Sequence, residues 1–121
     1  MFKLIIHSGF SAAHALRGYN GVCADIHGHN WRVSVTFAAQ QPDENGMVVD
    51  LVALKKAVDE CVATLDHRFI NEVPPFDKLN PTSENLAKYF YETLSARAPI
   101  DVLSVEVAES DDYAVVYEPR R

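Results

Sequence analysis

From Asn30 to Ala39 the apolar side chains fall on every second position: Trp31, Val33, Val35 and Phe37 share one parity, and Arg32, Ser34 and Thr36 take the other. A period of two is the mark of a strand with one buried face, so something apolar must cover that face. The cover is written downstream, where the period changes. Leu51, Leu54, Val58, Cys61 and Leu65 recur at spacings of three and four, the stripe of an amphipathic helix, with Asp50 placed to cap its N-terminus. A second helix is expected from Thr82, after Pro81, carrying Leu86, Tyr89, Phe90 and Leu94 on one side. Alternation returns in Leu103–Glu109 and Tyr113–Tyr117, with Ser110-Asp111-Asp112 as the turn between them. Upstream, Phe2–Leu16 reads as extended structure broken near Ser8-Gly9, where the glycine marks a bulge or bend. Further turn chemistry lies at 18–21, at 41–46, which reads as a hairpin loop, and at 74–81.

The order strand, strand, helix, helix, strand, strand predicts an α+β domain: a four-stranded antiparallel sheet with two helices on one face. The 121 residues are expected to form a single domain spanning 1–121, burying about two-thirds of the surface of the unfolded protein. Four strands leave two open edges, which assembly into an oligomer would close.

The composition, 48% hydrophobic and 23% charged, is that of a globular protein. A net charge of -6 disfavours nucleic acid as a partner, although local Lys or Arg side chains can still hold a small phosphorylated substrate. The N-terminal apolar run is too short for a signal segment or a membrane span. Cys23 and Cys61 do not make a secreted disulfide framework. A cytoplasmic, reduced protein is expected.

His27-Gly28-His29 is the strongest local chemical signal. On a strand, residues two apart face the same side, roughly 6.6 Å apart along the strand, and these two share the parity of Trp31, Val33 and Val35. If the strand runs on without a bulge they sit at the rim of the apolar face, where polar groups need partners; the other reading is an exposed strand end. His14, on the parity of Phe10 and Ala12, reaches the same point if the two strands pair as a hairpin. Three neutral imidazoles with an open fourth position describe a catalytic zinc site. His7 has no such neighbour and reads as a surface or interface residue.

Other residues carry two readings each. Cys23, four residues before His27, is either a fourth ligand or a thiol near the metal whose lowered pKa suits it to proton transfer. Cys61, on the helix stripe, reads as a small buried hydrophobe. Asp66-His67 is either a helix-end pair favoured by the dipole or a carboxylate orienting an imidazole for a proton relay. Glu109 continues the parity of Leu103, Val105 and Val107. It either ends the strand in water or offers two carboxylate oxygens to paired N–H donors. Thr82 and Ser83 open a helix, with Thr82 as its N-cap, and their hydroxyls remain available to a ligand.

The ordered set of stretches Phe-Ser-Ala-Ala-His at 10–14, Cys-Ala-Asp-Ile-His-Gly-His-Asn-Trp at 23–31, Val-Val-Asp-Leu at 48–51, Leu-Asp-His-Arg-Phe-Ile-Asn at 65–71, Asn-Pro-Thr-Ser-Glu-Asn-Leu-Ala at 80–87 and Val-Ala-Glu-Ser at 107–110 resembles the 6-pyruvoyltetrahydropterin synthase and 6-carboxytetrahydropterin synthase family. The resemblance implies a tunnelling fold, in which the sheets of three subunits join into a barrel and two trimers stack into a hexamer, with active sites between subunits. It implies that His14, His27 and His29 hold Zn²⁺, that Cys23 is the acid/base thiol with Asp66 and His67 completing its relay, and that Glu109 anchors a pterin helped by Thr82 and Ser83. The three residues between Cys23 and His27 are similar to the spacing in bacterial carboxytetrahydropterin synthases of the queuosine pathway. Those convert 7,8-dihydroneopterin triphosphate to 6-carboxy-5,6,7,8-tetrahydropterin, releasing acetaldehyde and triphosphate; the pyruvoyl enzymes eliminate triphosphate without the carbon–carbon cleavage. Two features depart from the pattern: Ala108-Glu109-Ser110, where a lysine and a threonine often flank the glutamate, and a short loop from His14 to Cys23. A reading from another class is a non-catalytic module with a structural zinc closed by Cys23. Arg17, Arg32 and Arg68 are the candidate phosphate-binding cations.

Overall fold

A computed structural model describes residues 1–18 and 24–120. Its elements follow the expected order: β1 (Phe2–His14), β2 (His27–Ala39), α1 (Leu51–Ala63), a 3-10 turn (Ile70–Glu72), α2 (Ser83–Ser95), β3 (Asp101–Ala108) and β4 (Val115–Tyr117). The strands form one antiparallel sheet in the order β1-β2-β3-β4. Ile6, Phe10, Trp31, Val33, Val35, Phe37, Val105 and Val107 from the sheet meet Leu54, Val58, Cys61, Leu86, Phe90 and Leu94 from the helices in one core. Phe10 and Trp31, facing each other across β1 and β2, stack with ring centroids 5.7 Å apart.

Both helix starts are capped as their sequences dictate. The Asp50 carboxylate accepts the Val52 N–H at 2.9 Å, and the Thr82 hydroxyl accepts the Asn85 N–H at 3.1 Å. Each bond satisfies a donor that the helix leaves unpaired. Leu51 is not part of the buried stripe: as the first residue of α1 it lies 53% exposed, and the buried positions are Leu54, Val58, Cys61 and Val62. Burial pushes the Cys61 thiol up to about 11.

Four local expectations change. First, β1 is unbroken at Ser8-Gly9 and pairs with β2 through all thirteen residues. Gly9 is there because a Cβ would lie 3.0 Å from the Trp31 carbonyl oxygen; close strand approach, not a bend, accounts for it. Second, the 41–46 segment is no hairpin, since α1 follows it. Asp43 instead organises it, its carboxylate accepting the N–H groups of Asn45 and Met47, while Gly46 takes the left-handed φ of 80°. Third, a register shift between Thr36 and Phe37 sets Thr36 opposite Ser104 and Phe37 opposite Val102. Leu103 is displaced to a half-buried position and Val102 enters the core. Fourth, β4 begins at Val115 rather than Tyr113. The turn expected at 18–21 falls mostly outside the described residues.

Candidate metal centre

Antiparallel pairing places His14 directly opposite His27 and Ala12 opposite His29. Directly opposed side chains share a face of the sheet, and His29 joins them because it lies two residues from His27. The ring centroids form a compact triangle, with sides of 4.6 Å between His14 and His27, 4.8 Å between His27 and His29, and 5.2 Å between His14 and His29. Trp31 is the floor. Its indole donates to the Ala12 carbonyl at 3.1 Å, and the rings of His14 and His29 stand edge-on to it at 4.8 and 5.0 Å.

The hydrogen bonds fix which ring nitrogens are free. A carbonyl oxygen only accepts, so His14 Nδ1 carries its proton toward Pro81 O at 2.7 Å, and His27 Nδ1 carries its own toward Asp25 O at 2.7 Å. Both Nε2 atoms therefore present lone pairs, and they face each other at 3.0 Å. Two acceptors at that distance need a shared cation or proton between them. Among the described residues, His29 Nε2 is buried without a hydrogen-bond partner. Ligand atoms from the three rings lie within 4.8 Å of one another. Two imidazoles on one tetrahedral zinc, each at about 2.0–2.1 Å, have nitrogens about 3.3–3.4 Å apart. The 3.0 Å between His14 and His27 Nε2 is close to that, and His29, within 4.8 Å of both, stands in reach of the same ion. Desolvation by burial depresses the pKa of both His14 and His29, keeping them in the neutral form that binds metal.

Glu109, just past the end of β3, reaches the same place. Its Oε2 lies 3.4 Å from His29 Nε2 and 3.8 Å from His14 Nε2. Its parity with Val105 and Val107 does bring it to the histidine face, and its carboxylate is only 23% exposed. Thr82 and Ser83 follow Pro81, whose carbonyl backs His14, and are half-buried.

Asp66 and His67 stand elsewhere. Ser11 N–H donates to Asp66 Oδ1 at 2.9 Å, and the His67 N–H donates to Ser11 O at 2.6 Å. This docks the pair on the outer edge of β1, where Ala13 N–H also donates to Arg68 O. Those contacts, the backbone N–H of Ser11 first and the His67 ring 3.0 Å away second, hold the Asp66 carboxyl below the usual carboxylate range. The His67 ring is 82% exposed and its backbone adopts φ 57°, a left-handed conformation that histidine visits more readily than most residues. The pair lines a cavity of about 620 Å³ with Ser11, Asn30, Arg32 and Asp111, and none of the three clustered histidines lines it. Asp66-His67 and the histidine triangle thus line different surfaces. Cys23 lies outside the described residues.

The phosphate candidates separate. Arg17 is committed: its guanidinium donates to the carbonyls of Phe76, Leu79 and Asn71 at 2.8, 3.1 and 3.3 Å. It staples a loop and is withdrawn as a phosphate ligand. Arg32 pairs with Asp111. Arg68 remains, exposed beside His67. His7 donates to or accepts from Ser34 Oγ at 2.8 Å on the exposed side of the sheet, as its lone position suggested. Sequence reasoning missed the Pro81 and Asp25 carbonyls that orient the ligands, because backbone acceptors leave no residue-type signal.

Comparison with known proteins identifies relatives of this chain. A family model described as 6-pyruvoyl tetrahydropterin synthase matches residues 3–120. The human 6-pyruvoyl tetrahydrobiopterin synthase is 39% identical over 95 residues, covering 76% of this chain and 66% of the human protein. The 6-carboxy-5,6,7,8-tetrahydropterin synthase of Synechocystis is 34% identical over 113 residues, covering 89% of this chain and 86% of that protein. The structure of Caenorhabditis elegans 6-pyruvoyl tetrahydropterin synthase superposes with a TM-score of 0.88 at 29% identity, covering 98% of this chain and 96% of that one.

Proposed function

The chain belongs to the 6-pyruvoyl tetrahydropterin synthase family, and on that premise we propose that it converts 7,8-dihydroneopterin triphosphate to 6-carboxy-5,6,7,8-tetrahydropterin, releasing acetaldehyde and triphosphate. The observation that carries this reading is the set of three histidines whose free nitrogens converge within 4.8 Å at the rim of a buried sheet face. His14, His27 and His29 hold the metal, and the ion is zinc, favoured by an all-imidazole donor set. When bound, zinc supplies a Lewis acid that makes the C–H bond beside the substrate's hydroxyls more acidic.

The protein's own residues do the rest. Glu109 takes the paired N–H donors of the pterin and orients the substrate's hydroxyls over the histidines, helped by the hydroxyls of Thr82 and Ser83. Cys23 moves the proton, with His67 held by Asp66 as its partner. Because Asp66 and His67 line a different surface from the histidine triangle, the relay is completed between subunits, which suits a trimer or a dimer of trimers whose edge strands join into a barrel. The same reading makes the protein cytoplasmic and places it in the queuosine pathway. Among the described residues no helix is long and apolar enough to cross a membrane.

The three-residue spacing between Cys23 and His27, together with the fuller coverage of the Synechocystis relative, favours the carboxy product. The human relative's identity favours a second reading, elimination of triphosphate to a pyruvoyl product. Zinc-loaded protein incubated with 7,8-dihydroneopterin triphosphate separates them. Acetaldehyde formed in step with triphosphate supports the first, and triphosphate alone supports the second. No turnover, with a fold that collapses on metal removal, points to a structural zinc module instead. Cys23→Ala should keep zinc and fold but lose turnover; surviving turnover refutes the thiol's role.

A further inference from the structure

His14 is the most deeply buried member of the triangle, at 1% exposure, and the group that aims its ring comes from a segment 67 residues away. That group is the Pro81 carbonyl, and the residue before it is the hub of a small network. The Asn80 side chain accepts the Arg17 N–H at 2.9 Å and donates to the Arg17 carbonyl at 3.2 Å, pairing with the extension of β1 as a strand residue would. Its own carbonyl accepts the Thr82 N–H at 2.9 Å and the Asn85 side-chain amide at 2.8 Å, which ties it to the first turn of α2. One residue thus joins the strand that carries His14 to the helix start that carries its acceptor.

We propose that Asn80 is a positioning residue of the metal centre: by holding the Pro81 carbonyl against the β1 extension, it locks His14 in the tautomer and direction that present Nε2 to the ion. This rests on the reading that the histidine triangle holds zinc. A ring whose Nδ1–H has a fixed, buried acceptor offers a lone pair on Nε2 at no further cost. Without that acceptor the proton can sit on Nε2 or the ring can turn, and outer partners of this kind govern metal affinity about 10–100-fold.

The test uses zinc itself, titrated into metal-free protein against a chromophoric chelator, with NMR of the His14 ring nitrogens alongside. Asn80→Ala is expected to raise the zinc Kd about 10–100-fold and to remove the single Nδ1–H tautomer of the metal-free ring. Asp50→Ala, which removes the cap of α1 far from the site, supplies a stability-matched control and should leave the zinc Kd within about twofold of wild type. Should Asn80→Ala fail to fold, Asn80→Asp, which keeps the acceptor and loses the donor, is read by the same criteria. A zinc Kd unchanged in the Asn80 variant, an unchanged His14 tautomer, or equal weakening in Asp50→Ala overturns the proposal. A wild-type protein that takes up no zinc removes the underlying reading as well.

Discussion

Burial depresses the pKa of the His14 and His29 rings, and the consequence for the metal-free protein has a definite sign. Below about pH 6.5 the unfolded state protonates both rings, while the folded state resists until its lower pKa values are reached. The unfolded state then binds more protons, so stability rises with pH across that window. Urea midpoints of chelator-treated protein should therefore fall as pH drops from about 7 toward 5, and a His14→Gln, His29→Gln double variant should flatten that slope; a slope unchanged by the double variant would show that other groups titrate. Glu109 acts at the same scale: Glu109→Ala should weaken pterin binding more than folding, measured by ligand titration beside a melting curve. Equal losses would return Glu109 to the role of a strand end.

At the scale of elements, the hairpin of β1 and β2 is the part that tolerates least. Its thirteen-residue register sets the histidine triangle, and a slip of one residue would turn His14 to the face opposite His27 and His29. Gly9 protects that register, because it faces the Trp31 carbonyl at a distance a side chain barely fits. Gly9→Ala should cost about 1–3 kcal/mol by forcing the strands to shift, read from denaturant midpoints, with Gly28→Ala as the contrast, since a Cβ there would meet only the Ala12 carbonyl oxygen at 3.8 Å. Similar losses at both positions would mean that strand propensity, not close approach, explains the glycine. The outer edge of β1 is managed differently along its length. Near Ser11 and Ala13 it is closed by the 66–69 segment, and the Asn71 side-chain amide closes on both backbone groups of Ala15 at 2.9 and 2.8 Å, imitating a neighbouring strand.

For the whole molecule, the core is complete without any ion, since the sheet and both helices bury their apolar faces against each other. Removal of metal should leave a cooperatively unfolding protein, with the proposed zinc adding stability by linkage, about 2.7 kcal/mol at free zinc 100-fold above its Kd. Loss of all structure on chelation, followed by circular dichroism, would place the protein among structural zinc modules. The sheet also ends in two edge strands, β1 and β4, and leaves Phe2, Ile5 and Val116 more than half exposed. Equilibrium sedimentation should find trimers or hexamers at micromolar concentration; a stable monomer would remove the intersubunit site on which the proposed relay depends.

Periodicity made the element types legible, because strand and helix geometry repeat every 2 and about 3.6 residues whatever the rest of the protein does. Parity placed His27 and His29 on one face for the same reason and left Glu109 open between that face and water, and cap chemistry marked Asp50 and Thr82. What the sequence could not decide was anything that depends on one element meeting another far along the backbone. The opposition of His14 and His27, the Pro81 carbonyl behind His14, the withdrawal of Arg17 into a loop and the separation of Asp66-His67 from the triangle all follow from strand register and from hydrogen bonds between distant segments. Local backbone geometry does not encode those distances; only the packing of sheet against helices selects them.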